Sequence, residues 1–154
     1  MNAKLSVSAA IAVFLVAGCG GPGHYRPAPP GREGAHVACA GGGAPCSVKV
    51  TVTDNCQIVV DERIDVTGKN VNIMWEIDGP SSYTFAEGNG VFIKPNDNPP
   101  DQIVRPTQPQ NGRLYILHDK NSIKGATYTY PYGVQLMNGS TACPVYDPWI
   151  VNRR

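Results

Sequence analysis

Apolar and polar residues alternate along much of the chain after residue 45. Residues 47–53 place Val48, Val50 and Val52 on one face, and residues 71–77 place four apolar side chains on one face in the same way. A period of two residues is typical of half-buried β-strands. Further short apolar runs, separated by turn-forming residues, lie at residues 58–60, 83–85, 91–93 and 114–118. We therefore predict short strands joined by turns.

The segment at residues 127–137 continues this alternation, with aromatic and aliphatic side chains on one face (Tyr128, Tyr130, Tyr132, Val134 and Leu136). Because Pro131 lacks an amide N–H, we expect its strand to lie at a sheet edge or to contain a bulge. Outside the N-terminal segment, no stretch of ten residues has a helical period. The pattern predicts an all-β, immunoglobulin-like antiparallel β-sandwich.

An apolar segment of 12 residues, residues 5–16, follows Lys4 near the start of the chain. A membrane-spanning helix needs about 20 apolar residues, so this segment is too short to be one. A basic residue, a short apolar region and then small residues are the layout of a secretory signal peptide. We predict that residues 1–18 are such a peptide.

The residues that end this segment, Val16-Ala17-Gly18-Cys19, resemble the lipobox of bacterial lipoproteins. The resemblance implies that the Cys19 thiolate, a good nucleophile, receives the lipid and becomes the first mature residue. Gly20 follows, at the position where lipoproteins retained in the inner membrane carry Asp. The resemblance therefore implies a protein of the bacterial cell envelope, anchored by lipid in the outer membrane and facing the periplasm.

Residues 19–45 are predicted to comprise the lipidated cysteine and a flexible tether. Residues 20–45 contain eight Gly and five Pro and few large apolar side chains. Such a segment buries too little apolar surface to offset the entropy that ordering would cost. The β-sandwich is accordingly predicted to cover residues 46–154.

The chain has five cysteines, and removing Cys19 from the count leaves an even set of four, namely Cys39, Cys46, Cys56 and Cys143. An even set suits two disulfides in an oxidising compartment. A bridge from Cys56 to Cys143 would close nearly the whole domain and restrict the unfolded chain strongly. Among the three possible pairings, we favour Cys39–Cys46 with Cys56–Cys143.

The net charge and the absence of known motifs exclude several classes of function. Thirteen Lys and Arg against 12 Asp and Glu give almost no net charge, which is unlike a nucleic-acid-binding protein. Two of the three histidines fall in the predicted tether, and His118 is predicted to lie at the end of a strand on the surface. No G-x-S-x-G segment and no zinc, copper or calcium spacing is present. We predict neither catalysis nor a cofactor or metal.

Aromatic residues near the C-terminus are the candidate ligand contacts: Tyr132, Tyr146 and Trp149. Exposed aromatic side chains on a sandwich bind sugars or peptides in many modules. Packing in the core or at the rim of a groove is the alternative for the same residues.

Several short segments resemble a group of small uncharacterised secreted bacterial β-sandwich proteins. These segments are residues 73–77, 83–85, 90–93, 119–121, 128–130 and 147–152. The similarity covers about residues 47–152, and it implies a fold without implying an activity.

These observations predict a lipid-anchored, non-enzymatic module that contacts the membrane through its lipid and binds another envelope protein. A glycan- or peptide-binding module that uses the C-terminal aromatics is the alternative. A hydrolase that joins His118 to a carboxylate and a hydroxyl in one pocket is the third possibility.

Overall fold

The computed structural model describes residues 36–107 and 111–154 of the chain. Strands dominate it, together with one 3₁₀ turn (Pro100–Gln102), and no α-helix occurs among the described residues. The strands are β1 (His36–Cys39), β2 (Cys46–Val52), β3 (Ile58–Val59), β4 (Arg63–Val66), β5 (Val71–Asp78), β6 (Tyr83–Phe85), β7 (Val91–Ile93), β8 (Ile103–Thr107), β9 (Leu114–Asp119), β10 (Thr127–Val134), β11 (Leu136–Asn138), β12 (Thr141–Ala142) and β13 (Trp149–Arg153).

Two five-stranded sheets pack against each other. The first sheet has the order β1-β4-β13-β10-β7, and the second sheet has the order β3-β2-β5-β9-β8. A three-stranded sheet, β12-β11-β6, completes the fold. Alternation places every second side chain of the paired strands in a shared core, so the predicted all-β sandwich is confirmed.

Both large sheets are mixed, whereas the sequence led us to expect antiparallel sheets. The pairs β1–β4, β4–β13 and β2–β5 are parallel. The reason lies in the connections, because the chain passes from the first sheet to the second after β1 and again after β4. A strand that returns to its sheet after such a crossing is free to run parallel to its neighbour.

Trp75 is the largest side chain of the core and is fully buried. Its indole Nε1–H donates a hydrogen bond of 3.3 Å to the hydroxyl of Tyr132, and the two ring centroids lie 5.4 Å apart. Trp75 belongs to the second sheet and Tyr132 to the first, so this contact joins the two layers. Buried tryptophans usually find such a partner for the indole N–H.

The described fold already includes strand β1, which starts ten residues before the predicted boundary at residue 46, so part of the predicted tether belongs to the fold. Strand β1 pairs with β4 from His36 to Cys39, and the side chain of Cys39 is buried. The glycines that follow have positive φ angles, as at Gly42 and Gly43, and form the turn into β2. The Gly content of residues 41–43 therefore indicates a tight turn within the fold. The rest of the predicted tether lies outside the described residues.

The prediction for Pro131 is also wrong, because β10 is an interior strand between β13 and β7. The amide of Tyr132 donates to Pro148 on the β13 side, so the ring nitrogen of Pro131 faces the β7 side. Strand β7 ends at Ile93, and Pro131 lies where this pairing stops. A proline is tolerated there because no ladder hydrogen bond needs its missing N–H.

The structure contains both predicted disulfides, Cys39–Cys46 and Cys56–Cys143, with Cα–Cα separations of 5.5 and 5.2 Å. The first closes a short loop between the first and second sheets. The second spans 87 residues of sequence and ties the turn after β2 to the segment after β12.

Arg113, a residue that the sequence patterns do not single out, also crosslinks parts of the fold through hydrogen bonds. Its guanidinium donates four hydrogen bonds of 2.9 to 3.0 Å to backbone carbonyl oxygens. The acceptors are Ile77, Gly79, Pro80 and Tyr83. Arg113 therefore fixes the loop that joins β5 to β6 and has a structural role.

Candidate functional site

The three predicted aromatic contacts do not form one site. Tyr132 is fully buried and accepts its hydrogen bond from Trp75, so the prediction of a ligand contact at Tyr132 is wrong. Burial raises the pKa of its hydroxyl above the ordinary range. Tyr146 is half-buried, lies opposite Val134 and packs against the core. Of the three, only Trp149 lies on the outer face of the first sheet.

The position of Trp149 follows from the alternation of β13. Ile150 packs in the core and Asn152 bonds to Asp119 of the second sheet, so Trp149 and Val151 point to the opposite, outer face, on which Val151 is also buried. Trp149 lies beside Pro131 of β10 on one side and beside Arg63 of β4 on the other. The indole is half-buried. The strand register therefore places the side chains of Pro131, Trp149 and Arg63 in one row across the outer face.

Arg63 and Arg153 both contact the carboxylate of Asp65 on this face. Nε of Arg63 lies 2.9 Å from Oδ2, and Nη2 of Arg153 lies 3.5 Å from Oδ1, an ion pair without hydrogen-bond geometry. The carboxylate side chain is 10% exposed, against 43% and 51% for the two arginines. Two guanidiniums on one shielded carboxylate leave a surplus positive charge beside Trp149.

The outer face of the second sheet has different chemistry. Four apolar side chains lie on this face, and we name them the apolar stripe: Met74, Ile116 and Leu114 are neighbours on β5 and β9, and Val104 lies on β8 opposite His118. Val104 is 41% exposed, more than any other large hydrophobic side chain of the described residues. The other three are half-buried. No strand of the described fold pairs with the free edge of β8, where Val104 lies.

Polar residues border the apolar stripe. Lys49 forms a 2.7 Å ion pair with Asp78, and Nδ1 of His118 lies 2.9 Å from Oδ1 of Asn72. Glu76 lies between these pairs on β5, and it forms no ion pair within the described ranges. An apolar centre with a polar border is the arrangement found in many protein-binding surfaces.

A polar network is buried between the sheets. Oδ1 of Asp119 accepts 2.9 Å hydrogen bonds from the amide of Asn121 and from Nδ2 of Asn152. Nδ2 of Asn121 donates in turn to the carbonyl oxygens of Val66 and Gly68. Asp119 belongs to the second sheet and Asn152 to the first, so their bond joins the layers.

This network has two buried oxygens without a described partner, Oδ2 of Asp119 and Oδ1 of Asn152. Burial disfavours the charged carboxylate and raises the pKa of Asp119 to about 6, although its hydrogen bonds from Asn152 and Asn121 act in the opposite direction. A proton on Oδ2 of Asp119 would turn this oxygen into a donor, and Oδ1 of Asn152 is a buried acceptor that has no described partner. The network therefore favours the neutral carboxyl in mildly acidic conditions.

A cleft of about 310 Å³ lies between β7 and β8, at an open end of the sandwich. Its lining includes Ile93, Lys94, Ile103 and Tyr130. The hydroxyl of Tyr130 donates to the carbonyl oxygen of Pro99 at 3.1 Å, and burial raises its pKa to about 12. Lys94 is paired with Asp147 at 2.6 Å. The Tyr130 hydroxyl and the Lys94 ammonium of this cleft are thus both engaged within the protein.

The described residues do not assemble a hydrolytic triad around His118. Neighbours in a strand face opposite sides, so His118 lies on the outer face whereas Asp119 is buried in the core. The groups opposite His118 are Asn72 and Val104. Within residues 36–107 and 111–154, no three His, Cys, Asp or Glu side chains converge in a geometry that could hold a metal ion.

The predicted lipidation site, Cys19, lies outside the described residues. The part of the chain that the structure describes contains no helix of sufficient length and hydrophobicity to cross a membrane. No protein-family model matches the chain, and no curated protein is significantly similar to it. The two outer faces and the buried network are the features of the described residues that bear on function.

Proposed function

We propose that the protein is a lipid-anchored component of the bacterial cell envelope whose β-sandwich is a non-enzymatic protein-interaction module. The observation that carries the proposal is the apolar stripe on the outer face of the second sheet. Its most exposed member, Val104, places hydrophobic surface in solvent at a sheet edge. Apolar groups of this kind, bordered by polar residues, favour contact with another protein.

The border of the stripe suggests the chemistry of the partner. Lys49 lies opposite Glu76 and pairs with Asp78, so the two carboxylates and one ammonium give one net negative charge next to Met74 and Leu114. We expect an envelope protein that presents apolar side chains with a Lys or Arg close to them. Met74 suits such a contact because its flexible side chain adapts to a partner surface.

The size of the stripe indicates a weak contact. Its four side chains lie on β5, β8 and β9, and three strands at about 4.8 Å spacing span only about 10 Å. Interfaces at the small end of the range are typical of transient complexes. A lipid anchor compensates for weak affinity because it holds both proteins at one membrane surface and raises their effective concentration. The anchor and the stripe thus support the same function.

The anchor is tested by the Cys19→Ala variant in cells fed a palmitate analogue. We expect the wild type to incorporate the label and to sediment with membranes, and we expect the variant to lose both properties. The reason is that only the Cys19 thiol offers the nucleophile that lipidation requires. Labelled, membrane-bound Cys19→Ala protein would contradict the anchor.

The docking face is tested by Ile116→Glu, with Thr129→Glu on the outer face of the first sheet as the matched control. A carboxylate placed in an apolar contact must lose its hydration, which costs several kcal/mol. We therefore expect the amount of wild-type complex in gently solubilised envelopes to fall at least tenfold for Ile116→Glu. Thr129, an exposed strand residue, should tolerate the same change.

Both variants should keep the wild-type urea midpoint, because neither residue belongs to the core. A complex that survives Ile116→Glu, or one that both variants abolish equally, would refute the docking face. A wild type that migrates alone would refute the interaction itself.

A further inference from the structure

Trp149 and Arg63 each carry an N–H donor that no described residue accepts, on the outer face of the first sheet. The two residues are direct neighbours in the parallel pairing of β13 with β4. The described residues supply no acceptor to the indole N–H of Trp149. This nitrogen is not one of the buried atoms without a partner, so it is open to solvent. The other tryptophan, Trp75, differs because its indole N–H is bonded to Tyr132.

The guanidinium of Arg63 is held in one orientation. Its Nε is fixed on Asp65 at 2.9 Å, while its terminal amino groups have no acceptor among the described residues. The side chain is 43% exposed. A guanidinium fixed by Nε presents two parallel N–H donors, and this fork matches the two oxygens of a carboxylate.

Charge and shape of this face both restrict the ligand. Arg63 and Arg153 share the one shielded carboxylate of Asp65 on this face, and two guanidiniums so close together favour an anionic ligand. The row of Pro131 and Trp149 forms a flat apolar surface rather than a deep pocket for a side chain. A pyranose ring presents a flat face of C–H groups, and the positive edges of these groups favour stacking on an aromatic ring.

We propose that this face binds an acidic sugar, with its ring on Trp149 and its carboxylate on the guanidinium of Arg63. The site is separate from the apolar stripe, which lies on the other sheet. It also differs from the three-aromatic site expected from the sequence, since Tyr132 and Tyr146 take no part. Arg153 and Asp65 act as positioning residues that hold the fork and set the charge.

The two tryptophans of the chain allow a test with an internal reference. We would titrate ¹⁵N-labelled protein with methyl β-D-glucuronide and follow the two indole N–H resonances. We expect the Trp149 resonance to shift in a saturable manner while the Trp75 resonance stays in place. The neutral methyl β-D-glucoside should bind at least tenfold more weakly, because it lacks the carboxylate.

Two variants assign the contacts. Arg63→Lys keeps the charge but loses the fork, so we expect about a tenfold weaker affinity for the glucuronide, since a tenfold change corresponds to about 1.4 kcal/mol. Lys49→Ala, a cation removed from the opposite face, should leave the affinity unchanged.

Three results would overturn the proposal. The first is a Trp149 resonance that responds to neither sugar, and the second is one that responds equally to both. The third is an equal response to sodium acetate or N-acetylglycine, which would identify a site for simple carboxylates or peptide ends. None of these results bears on the apolar stripe, so the two proposals fail independently.

Discussion

Replacement of Cys56 and Cys143 by alanine is expected to lower the free energy of unfolding by about 4 to 5 kcal/mol. The bridge spans 87 residues, and the entropy that a crosslink removes from the unfolded chain grows with the length of the closed loop. A loss of this size is a large part of the total stability of an ordinary domain. Urea unfolding under oxidising conditions measures it directly.

The disulfide between Cys39 and Cys46 is the matched control. Replacing Cys39 and Cys46 by alanine also removes two sulfur atoms, but this bridge spans only 7 residues. The loop-length relation predicts a loss of about 2 to 3 kcal/mol for this pair. Equal losses for the two variants, or a larger loss for the short loop, would show that the length of the loop does not determine the effect.

The second large effect concerns pH and Asp119. A carboxyl with a pKa of about 6 in the folded state and 3.8 as its ordinary value holds more protons when folded, throughout the interval between these values. Stability from this group therefore rises as the pH falls through 6, and it is lost as the pH rises again. The difference between these two pKa values corresponds to about 3 kcal/mol of folding free energy. Between pH 7 and pH 4.5 we expect a gain of about 2 kcal/mol.

The comparison with Asp119→Asn isolates this contribution. The amide has nearly the same shape and cannot titrate, so its stability should lack the rise that the wild type shows on acidification. Asp97→Asn, at an exposed position, serves as the control and should keep the wild-type pH dependence. If Asp119→Asn and the wild type show the same pH dependence, the carboxyl is not the titrating group.

The strands with strict alternation could be predicted from the sequence because their pattern records burial directly. Strand β5 alternates from Val71 to Asp78 in the structure as in the sequence, and Trp75 is in the core. Strand β1 was missed because the glycines and prolines around it resemble a linker. Strand β8 was missed because Pro106 and its polar neighbours interrupt the apolar pattern.

The buried network left a signal in the sequence that is visible in retrospect. Asp119 is in phase with Tyr115 and Leu117 of β9, and Asn152 is in phase with Ile150 of β13. A polar residue that continues the buried phase of a strand is a candidate for a core hydrogen bond. The partners of Arg113 left no such signal, because its four acceptors are backbone atoms of a distant loop.

The two outer faces depended on pairing that the sequence does not encode locally. Arg63 and Trp149 are neighbours only because β4 runs parallel to β13, and Val104 lies on the same face as Met74 only because β8 and β5 flank β9. We expected the aromatics near the C-terminus to act together, and the core contact of Tyr132 prevents this. The order and direction of the strands therefore decide which of the candidate residues become neighbours in a site.

Photocrosslinking from the apolar stripe tests the central claim, that this face docks another envelope protein. p-Benzoylphenylalanine would replace Leu114 in living cells, and Thr129 on the opposite face would be replaced in a parallel strain. We expect a defined adduct from position 114 alone, with the crosslinked peptide of the partner apolar and close to a Lys or Arg. An adduct of twice the mass of this chain, equal adducts from both positions, or no adduct at all would contradict the account.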